Sequence, residues 1–234
     1  MKLFFILLII TNLILYADSE LFDDFEEEFS SDVEKEIDPL SGYNNIMTNY
    51  NDKFYMNIYF PIVDKYTEAI PEDGRLSISN FFENIKFPIR FLNNIAQLKF
   101  TNAFEESSRF VINSTIGIAG LFDVADTSFD IKQHSEDFGQ TLGFYGVGSG
   151  FHIVLPFLGP SNLRDSLSLI VDCQAHPTNY SLNLSQSIAY HSLYSINDSS
   201  FNAKTYKNFK EDAIELYPYL KNIYEQHRES EINK

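Results

Sequence analysis

The chain has 234 residues, 33 acidic against 17 basic side chains, a formal net charge of -16, 22 Phe, 14 Tyr, no Trp and one cysteine. So acidic a balance argues against nucleic acid as a partner, since phosphate binding needs clustered Lys and Arg, and a lone thiol rules out an internal disulfide. Once the N-terminal segments are set aside, the length suits a single domain.

Met1 to Ala17 reads as a secretory signal peptide: Lys2 is the positive start, Leu3 to Leu15 the apolar run, and Leu15-Tyr16-Ala17 a small-residue cleavage site. As a helix the run would extend about 20 Å, short of the roughly 30 Å hydrocarbon core, so export with cleavage is expected rather than anchoring. A lipoprotein signal would place a cysteine directly after the cleavage site. The sole cysteine is Cys173, so the expectation is a chain that is not lipidated. Residues 18–37 form an acidic leader. Between Asp18 and Asp38 there are 11 acids and the single base Lys35, the composition of a solvated, disordered tether.

The body is expected over 38–228, with a polar tail at 229–234. Asp38-Pro39 reads as a helix opening, with an N-cap acceptor and proline at the first helical position. Tyr43, Ile46, Met47, Tyr50 and Phe54 follow at helical spacing until Pro61 breaks or kinks the run. A second segment starts at Pro71 and ends or bends at Pro88, after which Phe91, Leu92 and Ile95 continue an apolar face. A third starts near Thr101 and stops at Gly117 and Gly120. Ser161 is placed as the cap of a helix carrying Leu163, Leu167, Ile170 and Val171 on one side. Tyr206 to Tyr224 keeps the i, i+3, i+4, i+7 rhythm for more than four turns. The predicted fold class is mainly α, and Phe151 to Leu158 is the one run with extended character. Amphipathic segments usually build a core. Here Phe81, Phe82, Phe87, Phe91, Phe100, Phe104, Phe110 and Phe122 crowd into about 40 residues, which admits a second reading: helices lying in one membrane leaflet.

From Phe138 to Leu163, 26 residues pass without Asp, Glu, Lys or Arg. Six glycines and two prolines interrupt the stretch, so it is no membrane-crossing helix but a shaped, apolar, loop-like segment. Gly146, Gly148 and Gly150 fit neither a nucleotide fingerprint nor a phosphate loop, and Ser149 lacks the surroundings of a nucleophile elbow. His134, Glu136 and Asp137 match no zinc spacing. A buried Arg109 would need an acidic partner, for which Asp137 is the candidate. The residues therefore call for no metal, no cofactor and no catalytic group. A lipid hydrolase using Ser149 or Ser161 with His152 is the rival that an enzyme class would supply.

Asp38-Pro39-Leu40-Ser41-Gly42-Tyr43-Asn44, Ser79-Asn80-Phe81-Phe82, Arg109-Phe110 with Asn113, and Glu136-Asp137-Phe138-Gly139-Gln140-Thr141-Leu142-Gly143 occur in that order. Gly146-Val147-Gly148, Val154-Leu155-Pro156, Gly159-Pro160-Ser161 and Arg164-Asp165 complete the series. On these motifs, spanning residues 38 to 172, the chain resembles the MlaA (VacJ) family; beyond them only Tyr217, Lys221, Tyr224 and Gln226 echo the family pattern. The resemblance implies a ring-like bundle of amphipathic helices in the inner leaflet of a Gram-negative outer membrane, around a central amphipathic channel. It implies a passive conduit that takes phospholipid misplaced in the outer leaflet to a periplasmic carrier (MlaC-like), often beside a trimeric porin, without catalysis. The alternative is a porin-associated interaction protein that transfers no lipid.

Under that resemblance the lipid path is expected along Asn49, Tyr50, Gln140, Thr141, Gly143, Gly146, Gly148, Ser149, Gly150 and Pro156. The structural motif is Asp38, Pro39, Gly42, Asn44, Asn80, Phe81, Arg109, Asn113, Asp137, Gly139, Gly159, Pro160, Arg164 and Asp165. The sequence departs from the family where Asn44-Asn45 replaces Asn-Arg, Phe60-Pro61 replaces Arg-Pro, Gln97-Leu98 replaces Gln-Gly, and Gly150-Phe151-His152 replaces Gly-Pro-Tyr.

Overall fold

A computed structural model describes residues 38–234. The signal segment at 1–17 and the acidic leader at 18–37 lie outside the described residues. The chain divides after Gly42 into units 1–42 and 43–234. In the first, Asp38-Pro39 forms a turn rather than the helix start expected of it: Asp38 Oδ1 accepts from Leu40 N at 3.3 Å and its carbonyl from Ser41 N at 3.2 Å.

Helix α1 runs Ser41–Phe54 and passes into a π-helical turn, Tyr55–Tyr59, before α2, Phe60–Ala69. Pro61 explains the change. It has no N–H to donate and its ring clashes with the carbonyl four residues back, so the i→i−4 ladder cannot pass through it unchanged. Helix α3, Glu72–Ile85, opens behind Pro71 with Glu72 and Asp73 complementing its dipole. Helices α4, Phe87–Ala96, and α5, Phe100–Thr115, form an antiparallel pair, and α6, Val124–Phe129, is capped by Asp123. Between α4 and α5, Leu98 sits at φ 60, which accounts for glycine being usual there in the family it resembles.

The charge-free stretch is not all loop. Asp137 caps α7, Phe138–Phe144, and a glycine loop leads to an antiparallel hairpin, β1 His152–Leu155 and β2 Gly159–Asn162, with Val154 opposite Pro160. The sequence held no turn dipeptide because the turn places Phe157, at φ 62, where glycine or asparagine is usual. Asn162, not Ser161, caps α8, Leu163–Ala175, by accepting from Asp165 N at 2.8 Å. A short α9, Thr178–Ser181, precedes α10, Leu184–Asp212, which starts on a capping box of Asn183 and Gln186. The single terminal helix expected from Tyr206 to Tyr224 is instead broken at Ala213–Glu215, and α11 covers Leu216–Ile232, taking in most of the expected polar tail. Pro218 gives the reason, since a continuous helix would drive its ring into the carbonyl of Ile214.

The fold is predominantly helical, as expected, but its burial is inverted. Among the described residues eight hydrophobic side chains are buried, against twenty-four polar or charged ones. The apolar faces assigned to a core mostly look outward: Leu163, Leu167, Ile170 and Val171 of α8 are exposed while Arg164, Asp165 and Ser168 are buried. Among the described residues a conventional core forms around Phe60, Val63 and Ala203, with Tyr55, Met56, Tyr59, Ile196 and Tyr206 packed against it.

Candidate functional site

The interior is organised by arginines. Arg228, on α11, donates from both terminal nitrogens to Asp137 at 2.8 and 3.0 Å and from Nε to Asp165 at 2.8 Å. Asp165 also accepts from Arg164 Nε at 2.9 Å, Tyr224 OH at 2.8 Å and Asn162 Nδ2 at 3.0 Å. Burial pushes the Asp165 carboxyl up, and those donors outweigh it and hold it below its ordinary value. Gly139 makes room for this centre, since a Cβ there would lie 2.5 Å from Asp165 Oδ1 and 2.8 Å from Arg228 Nη2. Beside it, burial pushes Asp172 up to about 6 although its carboxylate accepts from Phe138 N.

Asp137 is therefore the partner of Arg228, not of Arg109. Arg109 binds Asp123 at 2.7 Å and the Ile131 carbonyl, and Asn113 holds Asp123 from the other side at 2.9 Å. Arg90 binds the fully buried Glu106 at 2.8 Å, and Gln97 and Lys99 share Glu136 at 2.8 and 2.7 Å. His134 meets Glu105, so the three residues of the His134-Glu136-Asp137 run are engaged by different partners. Arg228 was not singled out from the sequence. The available signal was its register, four residues after Tyr224 and eleven after Tyr217 on one face of α11.

The helix-interior asparagines do a structural job. Asn44 donates to His152 O at 3.0 Å and accepts from Val154 N at 2.8 Å; two turns on, Asn51 donates to Leu155 O at 2.9 Å and accepts from Phe157 N at 2.8 Å. Their amides continue the β1 ladder, seating the hairpin on α1. Asn49 is exposed, and Tyr50 stacks edge-on with Phe157, ring centroids 5.5 Å apart.

A groove of about 820 Å³ runs between α10 and the π turn, reaching the hairpin tip. One wall is aromatic and aliphatic: Phe54, Tyr55, Tyr59, Phe60, Phe157 and Leu158. The other is the α10 face carrying Leu184, Ser187, Ile188, His191, Ser192, Ser195, Ser199 and Asn202. Among the described residues no Asp, Glu, Lys or Arg lines it. Where the family usually has an arginine, this chain has Phe60, buried in the small core.

None of the ten expected path residues lines that groove; Pro156 adjoins it in sequence through Phe157. Gln140 and Thr141 are buried, with Thr141 donating to Asn93 at 2.8 Å. The glycines separate into two kinds. At Gly143 and Gly150 a Cβ would strike Ile232 at 2.7 Å and Leu163 at 2.9 Å, so these glycines serve packing within the chain. At Gly146 and Gly148 nothing lies within 4 Å. The hydroxyls of Ser149 and Ser161 lie on the carbonyls of Gly150 and Asn162, Ser161 Oγ also accepts from Ser166 Oγ at 3.0 Å, and His152 Nδ1 lies on Glu225 at 2.7 Å.

The profile of the family described as MlaA lipoprotein matches residues 36–231. An uncharacterised protein of Rickettsia bellii is 32% identical over 181 residues, covering 75% of this chain and 68% of that protein. The intermembrane phospholipid transport system lipoprotein MlaA of Escherichia coli K12 is 34% identical over 138 residues, covering 58% of this chain and 55% of that protein, so the match spans about half of that relative's length. A solved structure, reported as the structural basis for maintenance of bacterial outer membrane lipid asymmetry, aligns with a TM-score of 0.74 at 25% identity, covering 84% of this chain and 99% of the other.

Proposed function

Since the chain belongs to the MlaA lipoprotein family, we propose that it is a passive phospholipid conduit of the outer membrane. It removes phospholipid misplaced in the outer leaflet and hands it to a soluble periplasmic carrier, maintaining lipid asymmetry. The observation that carries this reading is the inverted exterior. Between Phe100 and Phe122 the exposed residues are uncharged, Glu105 is half-buried against His134, and Glu106 and Arg109 on the same helix are buried. Water rewards the opposite arrangement; a hydrocarbon surround rewards this one.

No described helix is long and apolar enough to cross a membrane, in keeping with helices that lie in the periplasmic leaflet as a ring around the lipid path. The Escherichia coli relative is named a lipoprotein, whereas the one cysteine of this sequence is Cys173 in α8. The exterior itself would contribute to attachment. Each inserted methylene contributes about 0.8 kcal/mol, so a few of the exposed Phe and Leu side chains equal one acyl chain. A neighbouring trimeric porin would add to that hold. The glycine loop at Gly146 and Gly148 borders the path, its open surroundings leaving room for a ligand. The conduit reading needs no nucleophile, and the placement of Ser149, Ser161 and His152 is in keeping with it.

The test is transfer of labelled phospholipid from vesicles holding the purified full chain to a soluble lipid carrier. The wild-type chain should retain phospholipid after mild-detergent purification and accelerate transfer. Gly148→Trp should cut the rate at least about tenfold with its melting temperature unchanged, because a Cβ at that position has no described protein atom within 4 Å. Absence of both bound lipid and transfer would favour the porin-scaffold reading instead.

A further inference from the structure

We propose that the hydroxyls of Tyr59, Ser195 and Ser199 form a seat for the phosphate of a glycerophospholipid whose acyl chain lies in the α10 groove. The inference rests on the conduit reading and adds to it which residues hold the headgroup and what they select. Tyr59 OH lies 2.6 Å from Ser195 Oγ and 3.0 Å from Ser199 Oγ, so three hydroxyls from opposite walls converge on one point. Tyr59 is the last residue of the π turn, a distortion that recurs at functional sites because it re-aims side chains. Each hydroxyl carries one donor, and a phosphate oxygen accepts several.

The groove around that point is built for an amphiphile. Among the described residues no acidic side chain lines it to repel an anion, and no basic one lines it to bind by charge alone. Toward the N-terminus of α10 the wall turns apolar at Ile188 and Leu184, both 59% exposed, opposite Phe157 and Leu158. From Ser195 back to Leu184 is about 16 Å at 1.5 Å per residue, close to half of the roughly 30 Å hydrocarbon thickness, which is the acyl depth of one leaflet. Toward the C-terminus, Asn202 adds an amide for the remainder of the headgroup. Hydroxyl recognition of the phosphate selects for the group that all phospholipids share. Zwitterionic and anionic headgroups are accepted alike, and diacylglycerol, which has no phosphate, is refused.

The test reconstitutes the full chain in vesicles with phosphatidylethanolamine, phosphatidylglycerol or diacylglycerol carrying the same photoreactive acyl chain, and maps labelled peptides by mass spectrometry. Both phospholipids should label the Leu184–His191 stretch to a similar degree, at least about tenfold above diacylglycerol. Tyr59→Phe, and separately Ser195→Ala with Ser199→Ala, should each reduce that preference severalfold. Because the two variants alter different elements, a folding defect in one leaves the other as an independent reading. A preference unchanged in both variants, with wild-type melting, overturns the seat, as does equal labelling by diacylglycerol in the wild type. Loss of labelling in excess inorganic phosphate would identify a general anion site and also overturn it. Labelling of the groove by no lipid at all would bring down the conduit reading together with the seat, whereas the earlier outcomes remove the seat alone.

Discussion

In α5 the exposed side chains include Phe104, Val111 and Thr115 and the buried ones Glu106, Arg109 and Asn113; across α2 and α10 the exposed ones include Asp64, Lys65, Glu68 and Lys204 and the buried ones Phe60, Val63 and Ala203. One chain thus holds two opposite solutions to burial. The α2–α10 pair is a small water-soluble core, with Lys210 on Asp52 at 2.7 Å near its outer edge. Helices α4, α5 and α8 enclose charge and present hydrocarbon. The difference teaches that stability on the inverted side comes from hydrogen-bonded ion pairs, whose strength depends on every partner being present.

The largest expected effect follows from removing such a partner. Arg228→Leu leaves Asp137 and Asp165 facing each other without their shared guanidinium, and should cost about 3–5 kcal/mol of stability, read by thermal or denaturant unfolding in detergent. A loss below about 1 kcal/mol would mean that the centre behaves as a surface salt bridge, and the comparison would lose its basis. Next in size is a charge placed on the hydrocarbon face. Phe104 is 74% exposed, and Phe104→Asp should weaken vesicle binding in flotation by about 2–3 kcal/mol with little change in detergent stability, while Lys204→Ala on α10 should alter neither. Equal effects of the two substitutions would break the distinction between the sides. The smallest is conformational: Leu98→Gly relieves a left-handed leucine between α4 and α5 and should raise stability by about 1 kcal/mol, or leave it unchanged if the strain is already relaxed.

The helices were legible where proline or glycine punctuates them: Pro71, Pro88 and Gly117 mark ends that the structure keeps, whereas α7, capped by Asp137, stands where a loop-like segment was expected. The sense of the faces was not. An apolar stripe at helical spacing reads the same whether it meets a core or a lipid tail, so Leu163 and Leu167 gave the helix without its orientation. The partners of Arg109 and Asp137 lie on elements whose docking no local pattern encodes. The hairpin escaped because Phe157 stands where a turn residue is usual, and the break before α11 because Pro218 acts several residues upstream of itself. Within the candidate site, the motif residues Asn44, Arg109, Asn113, Asp137, Gly139 and Asp165 all lie in the hydrogen-bonded framework, whereas the serines of α10 carry no signature a short pattern can hold.

The outward-facing phenylalanines also bear on how such a protein reaches its place. By the route proposed above, the chain would pass through water before it meets lipid, with Phe100, Phe104, Ile116, Ile118 and Phe122 exposed among the described residues. Self-association is the default fate of so much bare hydrocarbon, which makes this surface a demand for a chaperone escort.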